Sequence, residues 1–255
     1  MSTSVRGVPA VIFLPGIVMP AALRYERLLA ALGEDVDPLL KELEVYRGPS
    51  TPPPGYSLEV ELAGIGRAAD EAGLERFHLY GHSGGGACAL AFTASQPERV
   101  LTLAVDEPAV DFSAEDLQEI EDVFLPMLEL PPEQQMAAFV QQQMLAGVDP
   151  PPRPDGPPPA WMSNRADGVA AMLRAFVDSA VPIERLREFD RPAYYSYGTL
   201  SNASWERRAV RLAKVLPNLT VERYEERSHM DTSHMAEPDR VARALRRLWG
   251  VDPQR

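Results

Sequence analysis

Cysteine is almost missing from this chain: Cys88 is the only one among 255 residues. A single thiol closes no internal disulfide, so a disulfide scaffold and a cysteine-ligated zinc site are both excluded. Set among alanines in a stretch of helical character, Cys88 reads as a small core residue. Long apolar runs are missing as well. No segment approaches the ~20 uninterrupted apolar residues that span a bilayer, and the run Val11 to Leu14 stops at Pro15-Gly16. Met1 to Gly7 is short and polar, unlike a secretory leader, so the expectation is a cytoplasmic protein with no membrane partner. Positive charge is scarce: 25 Lys and Arg stand against 37 Asp and Glu, a net charge of −12. That balance argues against nucleic acid and anionic surfaces, and leaves a neutral or cationic small-molecule substrate as the compatible partner. No internal repeat is visible, and nothing in the sequence speaks to oligomeric state.

What is present is enough apolar content, 45%, to bury the core of one large α/β domain with or without a modest insertion. Val8 to Leu14 is short, β-branched and apolar, as a strand covered on both faces is. Ala21 to Leu32 has a helical period, with Leu23, Leu28, Leu29 and Leu32 assigned to one side. A strand is expected over Leu39 to Tyr46 and a Pro-rich loop over Gly48 to Gly55. The helix that follows, to Gly73, opens with Ser57 as N-cap and with Glu59 and Glu61 near its positive end. Phe77 to Tyr80 and Val100 to Val105 read as buried strands, and the alternation of strand and helix predicts a mostly parallel sheet. Further on, Pro192 to Gly198 and Leu219 to Tyr224 read as strands, Ser204 to Leu216 and Glu237 to Trp249 as helices.

Between about Pro108 and Asp190 the composition changes. Ser113 with Asp116 has the form of a capping box, opening a helix that Pro126 is expected to end. Helices are also expected over Pro132 to Ala146 and Ala166 to Ala180, separated by Asp149 to Pro159, whose prolines preclude regular structure. Met127, Phe139, Met144 and Trp161 suggest a mainly apolar, adaptable pocket wall.

The stretch Phe77 to Phe92, FHLYGHSGGGACALAF, joins a strand pattern to an alanine-rich helical one through a small-residue turn. The turn, Gly81-His82-Ser83-Gly84-Gly85, fits the G-x-S-x-G nucleophile elbow. There the serine sits on a strained turn, and the residues two before and two after it must be nearly free of side chain. Gly86, Ala87, Ala89 and Ala91 let the helix pack closely on a sheet. On these residues the chain resembles the α/β-hydrolase family.

That resemblance implies an α/β-hydrolase fold: a mostly parallel central sheet flanked by helices. It implies a core of residues 1–107 and 191–255 and an inserted helical cap, or lid, at 108–190. In the family the first strand usually ends in His-Gly; here Pro15 replaces the histidine and Gly16 is kept. The match implies Ile17 and Gly84 as the two backbone N–H donors of an oxyanion hole, the other reading being a plain Pro-Gly loop. A serine hydroxyl needs an adjacent base, itself oriented by a carboxylate. Of the four histidines, His78 lies in the elbow strand and His82 in the motif, which leaves His229 and His234. His229 follows a strand after the short loop Glu225 to Ser228, where family members place the base, and is preferred. His234 stays as the alternative, because the family's Glu-Pro pair, here Glu237-Pro238, is spaced for a base lying between the two. The cluster His229, Asp231, His234 fits no standard metal spacing, so no metal is expected.

The acid departs most from the family pattern. Members usually carry aspartate in a G-x-x-D window, and here Gly198-Thr199-Leu200-Ser201-Asn202 holds no carboxylate. Some members carry the acid at the end of the preceding core strand, haloalkane dehalogenases of one subgroup using glutamate. In this chain that strand ends in Asp106-Glu107. Glu107 is the better match, since Asp106 would point to the opposite side of an extended strand; otherwise both acids simply end the strand in solvent. The order Ser83, Glu107, His229 is the one this fold requires. The resemblance thus implies a serine hydrolase, without cofactor, cleaving an ester-type bond of a small, largely apolar substrate through an acyl-enzyme. A serine nucleophile disfavours dehalogenase and epoxide-hydrolase chemistry. Lactone, thioester and carbon–carbon bond hydrolysis remain alternatives, as does a ligand-binding homologue with little turnover.

Overall fold

The computed structural model describes residues 7–152 and 156–251. The expectations for Met1 to Arg6, and for Arg153 to Asp155 within the proline run, fall outside the described residues. Six strands form one sheet: β1 (Ala10–Leu14), β2 (Asp37–Leu40), β3 (Phe77–His82), β4 (Val100–Asp106), β5 (Ala193–Gly198) and β6 (Leu219–Tyr224). Their spatial order is β2-β1-β3-β4-β5-β6, and every neighbouring pair is parallel. Parallel neighbours need crossovers, which α1 (Ala21–Leu32), α2 (Leu58–Glu71) and α3 (Ser83–Ser95) supply. All strands therefore end at one edge, and the winding reverses between β1 and β3. In open α/β sheets the crevice at that reversal is where ligands bind.

Side chains of successive strand residues alternate between two cores. Ile12, Leu14, Leu79, Leu103 and Tyr195 pack on one face of the sheet against α3. Val11, Phe13, Tyr80, Ala104 and Tyr194 pack on the other against α1 and α10 (Pro238–Trp249). Both faces of the central strands are covered, which is why their sequences read as continuous apolar runs.

Several elements differ from the sequence expectation. In α1, Leu23 is 47% exposed, while Arg24, Tyr25 and Leu28 are buried. Five residues separate Leu23 from Leu28, so on a helix they lie well over a right angle apart and cannot share a stripe. The strand expected through Tyr46 stops at Leu40, and Glu44–Tyr46 is a 3-10 turn. The buried Glu61 carboxylate accepts the N–H groups of Glu44 and Val45, each at 2.8 Å, and so takes donors that a ladder would use. Ser57 does precede α2 in extended conformation, but its side chain makes no cap bond.

Between β4 and β5 the chain forms α4 (Ala114–Glu119), a π-helical turn (Ile120–Phe124), α5 (Leu125–Met127), α6 (Pro132–Gln142) and α7 (Arg165–Val177). Ser113 caps α4 by accepting the Asp116 N–H at 3.3 Å. The reciprocal half of the box is absent among the described residues, because the Asp116 carboxylate bonds the Asp111 N–H and ion-pairs with Arg208 and Arg211. Pro126 does not end the helix. The π turn resets the ladder so that this proline falls in the first turn of α5, where a missing N–H is tolerated. The helix expected to Ala146 ends at Gln142, and that expected to Leu216 ends at Leu212, giving α8 (Ser204–Leu212). Arg208 and Arg211 of α8 tie this inserted segment to the sheet domain.

Candidate active site

Ser83 lies where β3 turns into α3, at the sheet's reversal point. Its φ of 52° is a left-handed conformation that a non-glycine residue adopts only when its surroundings impose it. The turn brings backbone so close that a Cβ on Gly81 would lie 2.4 Å from the Gly85 carbonyl oxygen. A Cβ on Gly85 would lie 2.4 Å from that of Pro15. Glycine is required at both positions for contact distance alone.

The Ser83 hydroxyl meets His229 Nε2 at 2.9 Å, and His229 Nδ1 meets Glu107 Oε2 at 2.7 Å. With Nδ1–H donating to the carboxylate, Nε2 carries the lone pair that faces the serine. The other carboxylate oxygen, Oε1, accepts the Gly198 N–H at 2.8 Å and the Ser201 hydroxyl. Glu107 follows the last residue of β4 and also has positive φ, 46°, which swings its side chain out of the strand's alternation. All three groups are buried.

Asp106 and His234, the alternatives for acid and base, bond to each other instead: His234 Nδ1 donates to Asp106 Oδ2 at 2.7 Å. Both acids are buried rather than ending the strand in solvent. Burial works against ionisation of Asp106, but hydrogen bonds from His234 and His82 hold its carboxyl well below the usual range. Burial also lowers His82, His234 and His78, the last to about 4. These histidines bind protons more weakly folded than unfolded, so their stabilising contribution is present above about pH 6.5 and is lost as the pH falls. For His78 the window runs down to about 4. The midpoint of thermal unfolding should therefore drop steadily on acidification from pH 6.5. A His78→Gln variant should show a shallower drop, and an equal slope in the two proteins would refute the assignment.

Two residues that the sequence reading passed over pack their rings against the imidazole. Trp205 of α8 stacks on His229 with ring centroids 4.4 Å apart and 13° between planes, its indole N–H bonded to the Pro108 carbonyl at 3.1 Å. The His82 ring lies 4.8 Å from that of His229, tilted by 32°. Ser201 had a sequence signal, since it stands at the aspartate position of the G-x-x-D window. Trp205 had none.

Ile17 and Gly84, the expected oxyanion donors, adjoin: a Cβ on Gly84 would meet the Ile17 side chain at 2.3 Å. Gly84 is the second residue of α3, where a helix has no partner of its own for the N–H. Beside Ser83 is a cavity of about 20 Å³ lined by Ile17, Ile120, Phe124, Phe139, Leu173 and Arg208, among others. It has room for about one water. A neighbouring cavity of about 10 Å³ shares Phe139 and Leu173 and is also lined by Met127. Met144 and Trp161, expected in the same wall, line neither; Met144 pairs with Ser201 in an isolated bridge and Trp161 packs against Arg165. A surface groove of about 720 Å³ around Asp70, Arg99 and Arg191 does not include Ser83 in its lining.

A serine held on a strand–turn–helix at the reversal point of a parallel sheet, facing a buried histidine and carboxylate, is the layout of a hydrolase-type α/β fold. The model of the alpha/beta hydrolase family matches residues 11–244, and the chain belongs to that family. No curated protein matches it. Among solved structures it resembles carboxylesterase CesB from Bacillus subtilis, at 17% identity and a TM-score of 0.65, covering 97% of this chain and 86% of that one. A thermophilic esterase from Thermogutta terrifontis aligns at 17% identity and TM-score 0.69, covering 94% and 90%. A haloalkane dehalogenase loop variant from Bradyrhizobium elkanii aligns at 17% and 0.67, covering 98% and 91%. At these identities the likeness is one of fold. Among the described residues no helix is long and apolar enough to cross a membrane.

Proposed function

We propose that this protein is a serine hydrolase that cleaves an ester-type bond of a small, largely apolar substrate through an acyl-enzyme. The observation that carries the reading is the unbroken hydrogen-bonded chain Ser83–His229–Glu107. His229 takes the proton from the Ser83 hydroxyl as its oxygen attacks the carbonyl, and returns it to the leaving alkoxide. Water then enters by the same base and releases the acid. The Ile17 and Gly84 N–H groups hold the oxyanion, a role worth roughly a hundredfold or more in rate for one donor. Glu107 accepts from His229 Nδ1 and stabilises the imidazolium.

Residues 108–190 act as the cap. Phe124, Phe139 and Leu173 fill the space over Ser83 to about one water's volume, so a substrate is admitted by displacing these side chains. Their apolar character favours an apolar acyl group. Phe139→Ala should join the two small cavities and shift preference toward longer acyl chains. Comparing kcat/KM for p-nitrophenyl acetate and octanoate should show the octanoate-to-acetate ratio rising about tenfold, the scale of one or two added methylenes in a pocket. An unchanged ratio would place the acyl group elsewhere.

Labelling with a fluorophosphonate tests the nucleophile. Wild-type protein should label stoichiometrically and Ser83→Ala should not label at all. Folded wild-type protein that stays unlabelled would overturn the reading.

A further inference from the structure

Beside the Ser83–His229–Glu107 chain lies a second acid–histidine network that the proposed reaction does not use. Asp106 Oδ2 accepts from His234 Nδ1 at 2.7 Å, and Oδ1 accepts from the hydroxyls of Ser196 at 2.6 Å and Ser233 at 3.1 Å. His82 Nδ1 donates to the Asp106 carbonyl at 3.1 Å and lies 3.4 Å from the carboxylate. His234 Nε2 pairs with the Thr232 hydroxyl at 3.1 Å. Asp106, His82 and His234 are each no more than 1% exposed, so no part of this network meets solvent or substrate.

The network ends on the catalytic base. The ring of His82 lies 4.9 Å from that of His234, at 66° between planes, and 4.8 Å from that of His229. Trp205 stacks on the same imidazole, so two flat rings pack against His229. The side chains of His82, Asp106 and His234 are also of the kind that bind a cation, and their donor atoms lie within 4.8 Å of one another. Both Asp106 oxygens, however, are already filled by hydrogen-bond donors, and the buried Arg24 guanidinium adds positive charge to the same place.

We propose that Asp106 and His234 lock His82 as the rear wall of the His229 imidazole, making His82 a positioning residue for the base. The inference rests on His229 being that base. A flat, anchored ring stops the imidazole from tilting out of line between Ser83 and the leaving group, and a misplacement of about 1 Å can cost about a hundredfold in rate. Glu107 bonds to His229, Arg24 of α1 acts on Asp106 and Glu107, and the Arg208 guanidinium of α8 lies over the Trp205 ring. His82 of β3 and His234 of α9 (Ser233–Ala236) are the other titratable groups. The neutral state of His82 keeps a second cation away from the imidazolium, and Asp106 offsets Arg24.

Three variants test this, with turnover of p-nitrophenyl acetate expressed per site titrated by fluorophosphonate. His82→Leu keeps the volume but removes the flat ring and its donor; kcat should fall about tenfold or more with KM within about twofold. His82→Phe restores a ring and should recover most of that loss. Asp106→Asn weakens the anchor that holds His82 and His234, so kcat should again fall about tenfold with KM within about twofold. A folded His82→Leu protein with wild-type kcat per site overturns the proposal. If that variant does not fold, a wild-type kcat per site in Asp106→Asn overturns it. Wild-type protein that neither labels nor turns over would sink the base reading and this one together. Labelling with normal turnover in every variant would sink this one alone.

Discussion

Replacing Glu107 by Gln should lower kcat for an activated ester by about ten-thousandfold while leaving the protein folded. Glutamine has the shape of glutamate, and its carbonyl oxygen can still accept from the Gly198 N–H and the Ser201 hydroxyl. Its amide nitrogen would then face His229 Nδ1 at the present 2.7 Å contact, and an amide N–H cannot accept a proton. The imidazole relieves the clash of two donors by adopting the other tautomer. Its proton then sits on Nε2, facing the Ser83 hydroxyl, and the base is lost without any atom having moved far. Fluorophosphonate labelling should slow in step with turnover, because both need the same lone pair. Near-normal activity in a folded Glu107→Gln protein would move the acid role elsewhere. Asp106 would be the next candidate, although its contact is with His234.

Gly81→Ala should cost on the order of 4 kcal/mol or more, enough to leave little folded protein. The added Cβ would lie 2.4 Å from the Gly85 oxygen, 2.7 Å from its carbonyl carbon and 2.8 Å from the Gly86 Cα. All three are backbone atoms of a helix start that is buried on every side, so nothing near can rotate away. Gly66→Ala is the matched control. It lies inside α2 with its nearest contact at 3.7 Å, and should be neutral or stabilising by up to about 1 kcal/mol from helix propensity. Urea midpoints for the two variants separate the cases, and a Gly81→Ala protein as stable as wild type would refute the close-contact argument.

Much of this architecture was legible in local sequence. Strand residues buried on both faces read as apolar runs, and the small residues after Ser83 announced a helix pressed against a sheet. Where a side chain from elsewhere supplied the deciding bond, the local pattern failed. Glu61 turned the end of the strand expected over Leu39 to Tyr46 into a 3-10 turn at Glu44–Tyr46, and the π turn before Pro126 left no mark in periodicity. The site divided the same way. Ser83 carried a short motif, whereas the acid was ambiguous because Asp106 and Glu107 are adjacent, both buried and both paired. Strand alternation points the two apart, and the positive φ at Glu107, just after β4, is the part that local sequence did not show. The second network includes the Asp106–His234 bond, between residues 128 apart in the chain, which no spacing rule reaches.

The Ser201–Glu107 contact gives the site a kind of interchangeability. Ser201 occupies the place from which related folds usually send the carboxylate, and here its hydroxyl touches the carboxylate sent from the neighbouring strand. The ends of β4 and β5 thus converge on one point beside His229 Nδ1, and the chemistry specifies the charge at that point rather than the strand that carries it. Acid position in such a sheet is then a property of place, and a lineage can hand it from one strand to the next while the histidine stays where it is.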